Sequence, residues 1–263
     1  MFLREFVHDL VEAIKDWRFW WTFGLNDARR VYMRTRFGIA WEIVGPALFV
    51  YCVGFAYTRL LDYDLSTFLP HICLGYIIWL NMQFIVNEGC VNLIRADMLL
   101  LSNPRPILSL SLRRFVNSAI YSSVHVVILV PILVLLFPVF TSISLFHLLY
   151  FLFVYVLAAL SLLVVLSVAC LRFRDLAPLI AAVNRLAFFV TPIIWTEKNL
   201  GSAGQFITNI NPYSYFLGGL RSSILGLPIT GSDMLLPLII ALALMIVAII
   251  LLDHFKQRVP FWL

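Results

Sequence analysis

The chain has 263 residues, 62% hydrophobic and 13% charged, with a mean hydropathy of +0.95, whereas soluble domains lie nearer half apolar and a quarter charged, so that class is excluded. A formal net charge of +5 would suit nucleic acid if the basic residues formed one stripe, but they fall between apolar runs. Those runs cover nearly the whole length and leave no room for a separate soluble module, so one all-α integral membrane domain is expected.

In residues 1–21, Leu3, Phe6, Val7, Leu10, Ile14, Trp17 and Trp21 recur at helical spacing on one face, and Glu5, Asp9, Glu12 and Asp16 take the other. This amphipathic helix is too polar to span a bilayer. It is expected to lie along the interface or pack on the protein's own cytoplasmic side, and the two placements are compatible. No uninterrupted apolar segment of a cleavable signal precedes it, so the mature chain is expected to begin at Met1. Residues 1–37 form this helix and a basic linker, 38–252 the membrane domain and 253–263 a cytoplasmic tail.

Six apolar spans follow, at 38–58, 71–93, 115–137, 146–171, 178–196 and 234–252, each close to the roughly 20 residues that a bilayer crossing needs. The fifth is the shortest and contains Arg185. Between the second and third spans, IRADMLLLSNPRPILSLSLRR predicts a short cytoplasmic helix stopped near Asn103-Pro104 and a fresh start after Pro106. Between the fifth and sixth, QFITNINPYSYFLGGLRSSILGLP is apolar but broken by Asn211-Pro212 and Gly218-Gly219. Two short helices dipping back into the external leaflet fit it, as does an ordinary external loop with an amphipathic helix. Sixteen of the nineteen Lys and Arg residues lie on the side of both termini and three on the other. That asymmetry places both termini in the cytoplasm and requires an even number of crossings.

The charged groups within spans, Glu42, Glu88 and Arg185, lie near the expected cytoplasmic boundary, and no ionisable series crosses the bilayer, so proton-coupled transport is disfavoured. Asn81, Glu88 and Asn92 project within an arc of about 40° on the second span. Ser118, Ser122 and His125 share a face of the third, Asn184, Phe188, Thr191 and Trp195 of the fifth, and Trp41, Tyr51 and Phe55 of the first. These residues could line a path for a polar, ring-shaped substrate, aromatics stacking on sugar rings while amides and hydroxyls bond their hydroxyls. They could equally pair between helices. His125 alone reads as a packing residue. The four cysteines have no metal or redox spacing, no metal site is expected, and no phosphate loop or other catalytic motif occurs. Uphill transport would therefore need a partner or an ion gradient to drive it.

The amphipathic N-terminal helix, RRVYMRTRFGIAWEIVGP leading into the first span, RFRDL before the fifth, TPIIW near its end and NPYSYFLGGLRSSILG before the sixth together resemble the type-2 ABC exporter permeases. Within these the chain is most similar to the polysaccharide exporters for O-antigen, capsule and teichoic acid. The resemblance implies a six-span half-transporter of the bacterial cytoplasmic (inner) membrane. It pairs with a second copy and with two copies of a separate ATP-binding subunit that holds ATP and Mg. Residues 1–21 and 95–108 would meet that subunit, making Asp9, Glu12, Arg95, Asp97, Asn103 and Arg105 the coupling candidates. The external re-entrant helices would map to 200–227, and Trp41, Tyr51, Phe55, Phe188 and Trp195 would guide the glycan. Arg29, Arg30, Arg34 and Arg36 would attract the headgroup of a lipid-linked glycan or serve only to fix topology. Two rivals are an exporter of the same fold carrying a drug or small lipid, and a membrane transferase using a lipid donor.

Overall fold

The computed structural model describes residues 4–32, 38–60, 63–102, 105–135 and 143–262, which form helices and turns with no strand among them. The chain opens with two helices rather than one helix and a linker: α1 (Arg4–Lys15) and α2 (Trp17–Tyr32). The polar run at 22–32 reads as a linker by hydropathy alone, yet it is helical because it packs on the third span. Gly24 allows that approach, since a Cβ there would fall 2.8 Å from the Arg113 carbonyl oxygen. The acidic face of α1 turns inward, with Asp9 fully buried, whereas Val7, Leu10, Val11, Ile14, Trp17 and Trp21 point outward. A helix that docks through Asp9 and Ala13 and turns Val7, Leu10, Val11 and Ile14 outward has the form of an interfacial element.

Among the described residues, five helical stretches are long and apolar enough to cross a membrane. They are α3 (Ala40–Leu60), α4 (Leu65–Val91), α6 (Ile107–His125, continuing through a short turn of 3₁₀ helix), α8 (Leu145–Arg172) and α12 (Gly231–Phe255). The second begins six residues before its expected start, because Asp64 caps α4 by accepting from the Ser66 N–H at 3.3 Å, and Pro70 is carried inside the helix. Between the second and third, α5 (Asp97–Ser102) is the short helix foreseen there, and α6 does begin directly after Pro106. A further short helix, α7 (Val130–Leu135), ends the third stretch.

The fifth expected span departs from expectation. In place of a span over 178–196 stands α9 (Leu176–Val190), 15 residues long, or about 23 Å, less than the roughly 30 Å hydrocarbon core. Thr191 precedes Pro192 and takes extended backbone (φ −86°, ψ 138°), which ends the helix. The irregular stretch 191–196 carries the chain onward. At its start α9 lies beside the C-terminus, where Arg174 reaches the Trp262 carbonyl at 3.5 Å. Beyond its end, the Pro192 carbonyl meets Arg221 on a later helix.

A hairpin of α10 (Glu197–Ile210) and α11 (Pro212–Leu225) follows. Asn211 caps α11 by accepting from the Tyr213 N–H at 3.0 Å, Pro212 occupies the first turn, and Gly226 (φ 65°) closes it. The helix starts beside Trp79 and Met82, midway along α4, and ends beside Leu65 in its first turn, so it dips into the bundle as a re-entrant segment does. Both chain ends lie at one end of the bundle: the Glu5 N–H donates to Asp253, and Lys256 pairs with Asp9 at 3.1 Å.

Candidate functional site

Three constellations stand out, at successive depths. At the end carrying the termini, an ionic belt joins α2, α4 and α6. Asp27 receives Nε and Nη2 of Arg113 at 2.7 and 2.8 Å, and Arg114 lies between Asp27 (3.6 Å) and Glu88 (3.2 Å). Arg95 completes the belt on Glu88 at 2.9 Å. Beside it, Asp9 accepts from the Leu108 N–H at 3.0 Å and Asp16 pairs with Arg105, whose guanidinium stacks 4.7 Å from the Phe19 ring.

Among the coupling candidates, Asp9 and Arg105 are thus spent on fastening α1 and α2 to α6, and Arg95 is engaged with Glu88 at the exposed edge. Glu12 pairs with Lys15 on the surface, Asp97 opens α5 as an exposed residue, and Asn103 lies outside the described residues. Arg29 and Arg30 are exposed in the last turn of α2; Arg34 and Arg36 lie outside the described residues. Asp27, Arg113 and Arg114 were not singled out from sequence, because Asp27 stands 86 and 87 positions from the two arginines.

Midway through the bundle, Asn81 donates to Ser118 Oγ at 2.6 Å and to Ser122 Oγ, and accepts from the Tyr155 hydroxyl. The shared faces read from sequence on α4 and α6 therefore meet each other, closed by a tyrosine from α8. Asn92 bonds Ser167 at 3.1 Å, and Asn184 lies between Asn87 (3.4 Å) and Tyr213 (3.2 Å). His125 Nδ1 donates to the Tyr121 carbonyl one turn back, at 2.7 Å. Asn81, Asn92 and Asn184 thus pair between helices, and His125 within its own. Replacing Asn81 by Ala strands the buried Tyr155 hydroxyl and is expected to cost about 1–2 kcal/mol, read as earlier thermal unfolding in detergent; Ser123→Ala, on the exposed side of α6, leaves the transition unmoved.

The third constellation is aromatic. Phe49 stacks on Tyr76 at 4.3 Å, Phe188 lies within about 6 Å of Phe49, Tyr76 and Trp79, and Tyr213 packs edge-on against Trp79 at 5.3 Å. Phe188 belongs to this wall. Trp195 is held by its indole N–H on the Phe189 carbonyl, and Tyr51 donates to Ile128, whereas Trp41 and Phe55 stand on the open face of α3. Phe49, Tyr76, Trp79 and Tyr213 are the members that the sequence reading missed. The signal was the spacing of Tyr76 and Trp79, three residues apart and so on one face of α4.

Among the described residues no group of His, Cys, Asp and Glu is placed to hold a metal. Cys73, Cys90 and Cys170 are buried free thiols, and Cys52 is exposed on α3.

Helices of this order, with a docked amphipathic N-terminus and a dipping hairpin before the last span, agree with the comparison by sequence: the profile of the ABC-2 type transporters matches residues 24–225. The chain belongs to the ABC-2 type transporter family. It is a transmembrane subunit of a type-2 ABC transporter, a permease whose ATPase activity resides in a separate ATP-binding subunit in this family. A search of curated proteins finds no match for the chain. In this ABC-2 permease the matched region spans α2 to α11 and therefore takes in the ionic belt, the polar knot and the aromatic wall.

Proposed function

We propose that this permease exports a lipid-linked polysaccharide of the O-antigen, capsule or teichoic acid type across the bacterial cytoplasmic membrane, with both termini in the cytoplasm. Two copies form the corridor, and two ATP-binding subunits, holding Mg and ATP, drive it. The observation that carries this reading is the exposed outer side of α3 and of α9, two helices that meet where Phe49 packs edge-on against Phe188 at 5.8 Å. Only 11% of the α3 span is buried, and it displays Trp41 and Phe55. Beside it α9 displays Phe189 and Arg185. Arg185 makes no ion pair or hydrogen bond among the described residues, and it stands about 14 Å along the helix, deeper than its expected place at the boundary.

An arginine at that depth is too costly to leave in hydrocarbon, so it faces a water-filled cavity or a protein partner. A second copy apposed on this face supplies both. Ring-bearing walls with a guanidinium among them suit sugar units, whose C–H faces stack on aromatics and whose oxygens accept from Arg. Exposed Arg29 and Arg30, where the chain approaches the first span, suit the anionic headgroup of the carrier lipid.

Loss of the chain is expected to leave polymer inside the cell, whereas an exporter of drugs or small lipids would leave polymer export intact. Arg185→Ala is expected to lower polymer export roughly tenfold, as for a lost contact of about 1.4 kcal/mol, without a shift in thermal unfolding. A matching loss of stability would place the residue in packing instead.

A further inference from the structure

Two crossing helices end beside each other, α8 at Arg172 and α12 at Phe255. After Phe255 the chain forms a turn of 3₁₀ helix, Lys256–Phe261, which buried Val259 pins to the bundle by packing in one core cluster with Leu171 and Leu252. The turn carries Trp262 to the end of α8. There the Arg172 guanidinium lies 5.5 Å from the Trp262 ring and 5.3 Å from that of Phe173, and Arg174 donates to the Trp262 carbonyl at 3.5 Å. Trp262 packs on Phe255 at 5.4 Å, and Arg258 lies 5.9 Å from the Phe255 ring. Arg172 and Arg258, both exposed, are thereby held on one pair of touching rings.

Rings contact the faces of these cations, whereas the N–H edge is what grips phosphate oxygens in pairs. Among the described residues no carboxylate meets either edge. Glu5 and Asp9 pair with Lys256, Asp253 accepts from the Glu5 N–H, and Asp175 makes no ion pair. The surroundings point to lipid rather than to a soluble anion. Only 22% of the α12 span is buried, and Ile246, Ile250 and His254 follow one another at four-residue spacing on its exposed side, which leads to Arg258. Phe173, beside Arg172, and Phe261, beside Trp262, are 60% and 87% exposed. An apolar helix face that gives way at the end of a span to arginine and exposed rings follows the order of hydrocarbon, interface and charged headgroup in a bilayer.

We propose that this surface binds an anionic phospholipid, its headgroup seated on Arg172 and Arg258 and its chains along the exposed side of α12. The site does not depend on which cargo the permease exports.

Native mass spectrometry of the full-length permease in detergent, titrated with dioleoylphosphatidylglycerol or dioleoylphosphatidylcholine, counts the lipids retained. Tighter retention of phosphatidylglycerol is expected. Arg172→Gln/Arg258→Gln should weaken it about tenfold or more, since each basic residue near a lipid surface contributes roughly fivefold, and should leave phosphatidylcholine unaffected. Arg172→Lys/Arg258→Lys, which keeps the charge, should retain most of the preference. Arg59→Gln, at an exposed arginine in the last turn of α3, should retain all of it. Equal retention of the two lipids overturns the proposal, as does an equal loss in Arg59→Gln. An equal loss in the Gln and Lys pairs would assign the arginines to packing and overturns it too. Release of the phosphatidylglycerol on adding the ATP-binding subunit would make the surface a subunit contact, which also ends the lipid site.

Discussion

Replacing Asp27 by Ala is expected to destabilise the permease by about 3–5 kcal/mol, the usual cost of deleting one partner from a buried ion pair. Asp27 receives both prongs of Arg113 and lies 3.6 Å from Arg114, and these side chains are only 12–15% exposed. Without the carboxylate, two adjacent guanidinium groups remain at the α2–α6 contact with one acid, Glu88, between them and Arg95. Coulomb repulsion and lost hydrogen bonds then act together in a region with little water to screen them. Arg95 serves as the internal control, since its side chain is 57% exposed, and Arg95→Ala should cost about 1 kcal/mol or less. Unfolding of the two variants in the same detergent decides the matter. Equal stability would mean that the belt carries no structural weight.

The belt also bears on transport. It ties the amphipathic helices to two spans, so force applied at α1 and α2 reaches α4 and α6 through ion pairs rather than through a loose linker. An Asp27 variant rescued for folding should therefore show ATP hydrolysis by the complex with less cargo moved per ATP.

The neighbouring glycines of α11 provide the second large effect, with opposite signs one residue apart. A Cβ at Gly219 would fall 2.2 Å from the ring of Phe151, a side chain buried in α8. Real Cβ atoms do not approach that closely, and the ring has no open side to move toward. Gly219→Ala is therefore expected to force the hairpin off α8 and cost about 1–3 kcal/mol or more. At Gly218 the space is open, so Gly218→Ala should be neutral or stabilising by up to about 1 kcal/mol. Trimming the ring in a Gly219→Ala/Phe151→Leu double variant should recover part of the loss, giving a coupling energy that an unrelated pair would lack. Identical effects at the two glycines would contradict the packing described here.

Which parts of this were readable in the residues follows from what each signal depends on. Hydropathy located the long spans because lipid solvation acts on every side chain of a crossing helix. It misjudged residues 22–32, whose helix forms on the surface of α6 and owes its existence to Gly24 and the Asp27–Arg113 pair. It overextended the fifth span because Pro192, Ile193 and Ile194 look as apolar in a broken stretch as in a helix. Helical periodicity put Ser118 and Ser122 on one face and Asn81 on another, and the fold joins them. Tyr155 was invisible as their third partner, since a tyrosine in an aliphatic helix reads as a lipid-facing aromatic. The pairings Asp27–Arg113 and His71–Arg221 join residues 86 and 150 positions apart and exist only in three dimensions.

The central claim is that this permease is half of a corridor driven by a separate motor. Native mass spectrometry of the complex, extracted with its lipids from cells that express the chain and its ATP-binding subunit, tests it most directly. The expected mass corresponds to two permease chains and two ATP-binding subunits, with ATPase activity in the same preparation. A single permease chain that carries no ATP-binding subunit yet still moves its cargo would contradict the account.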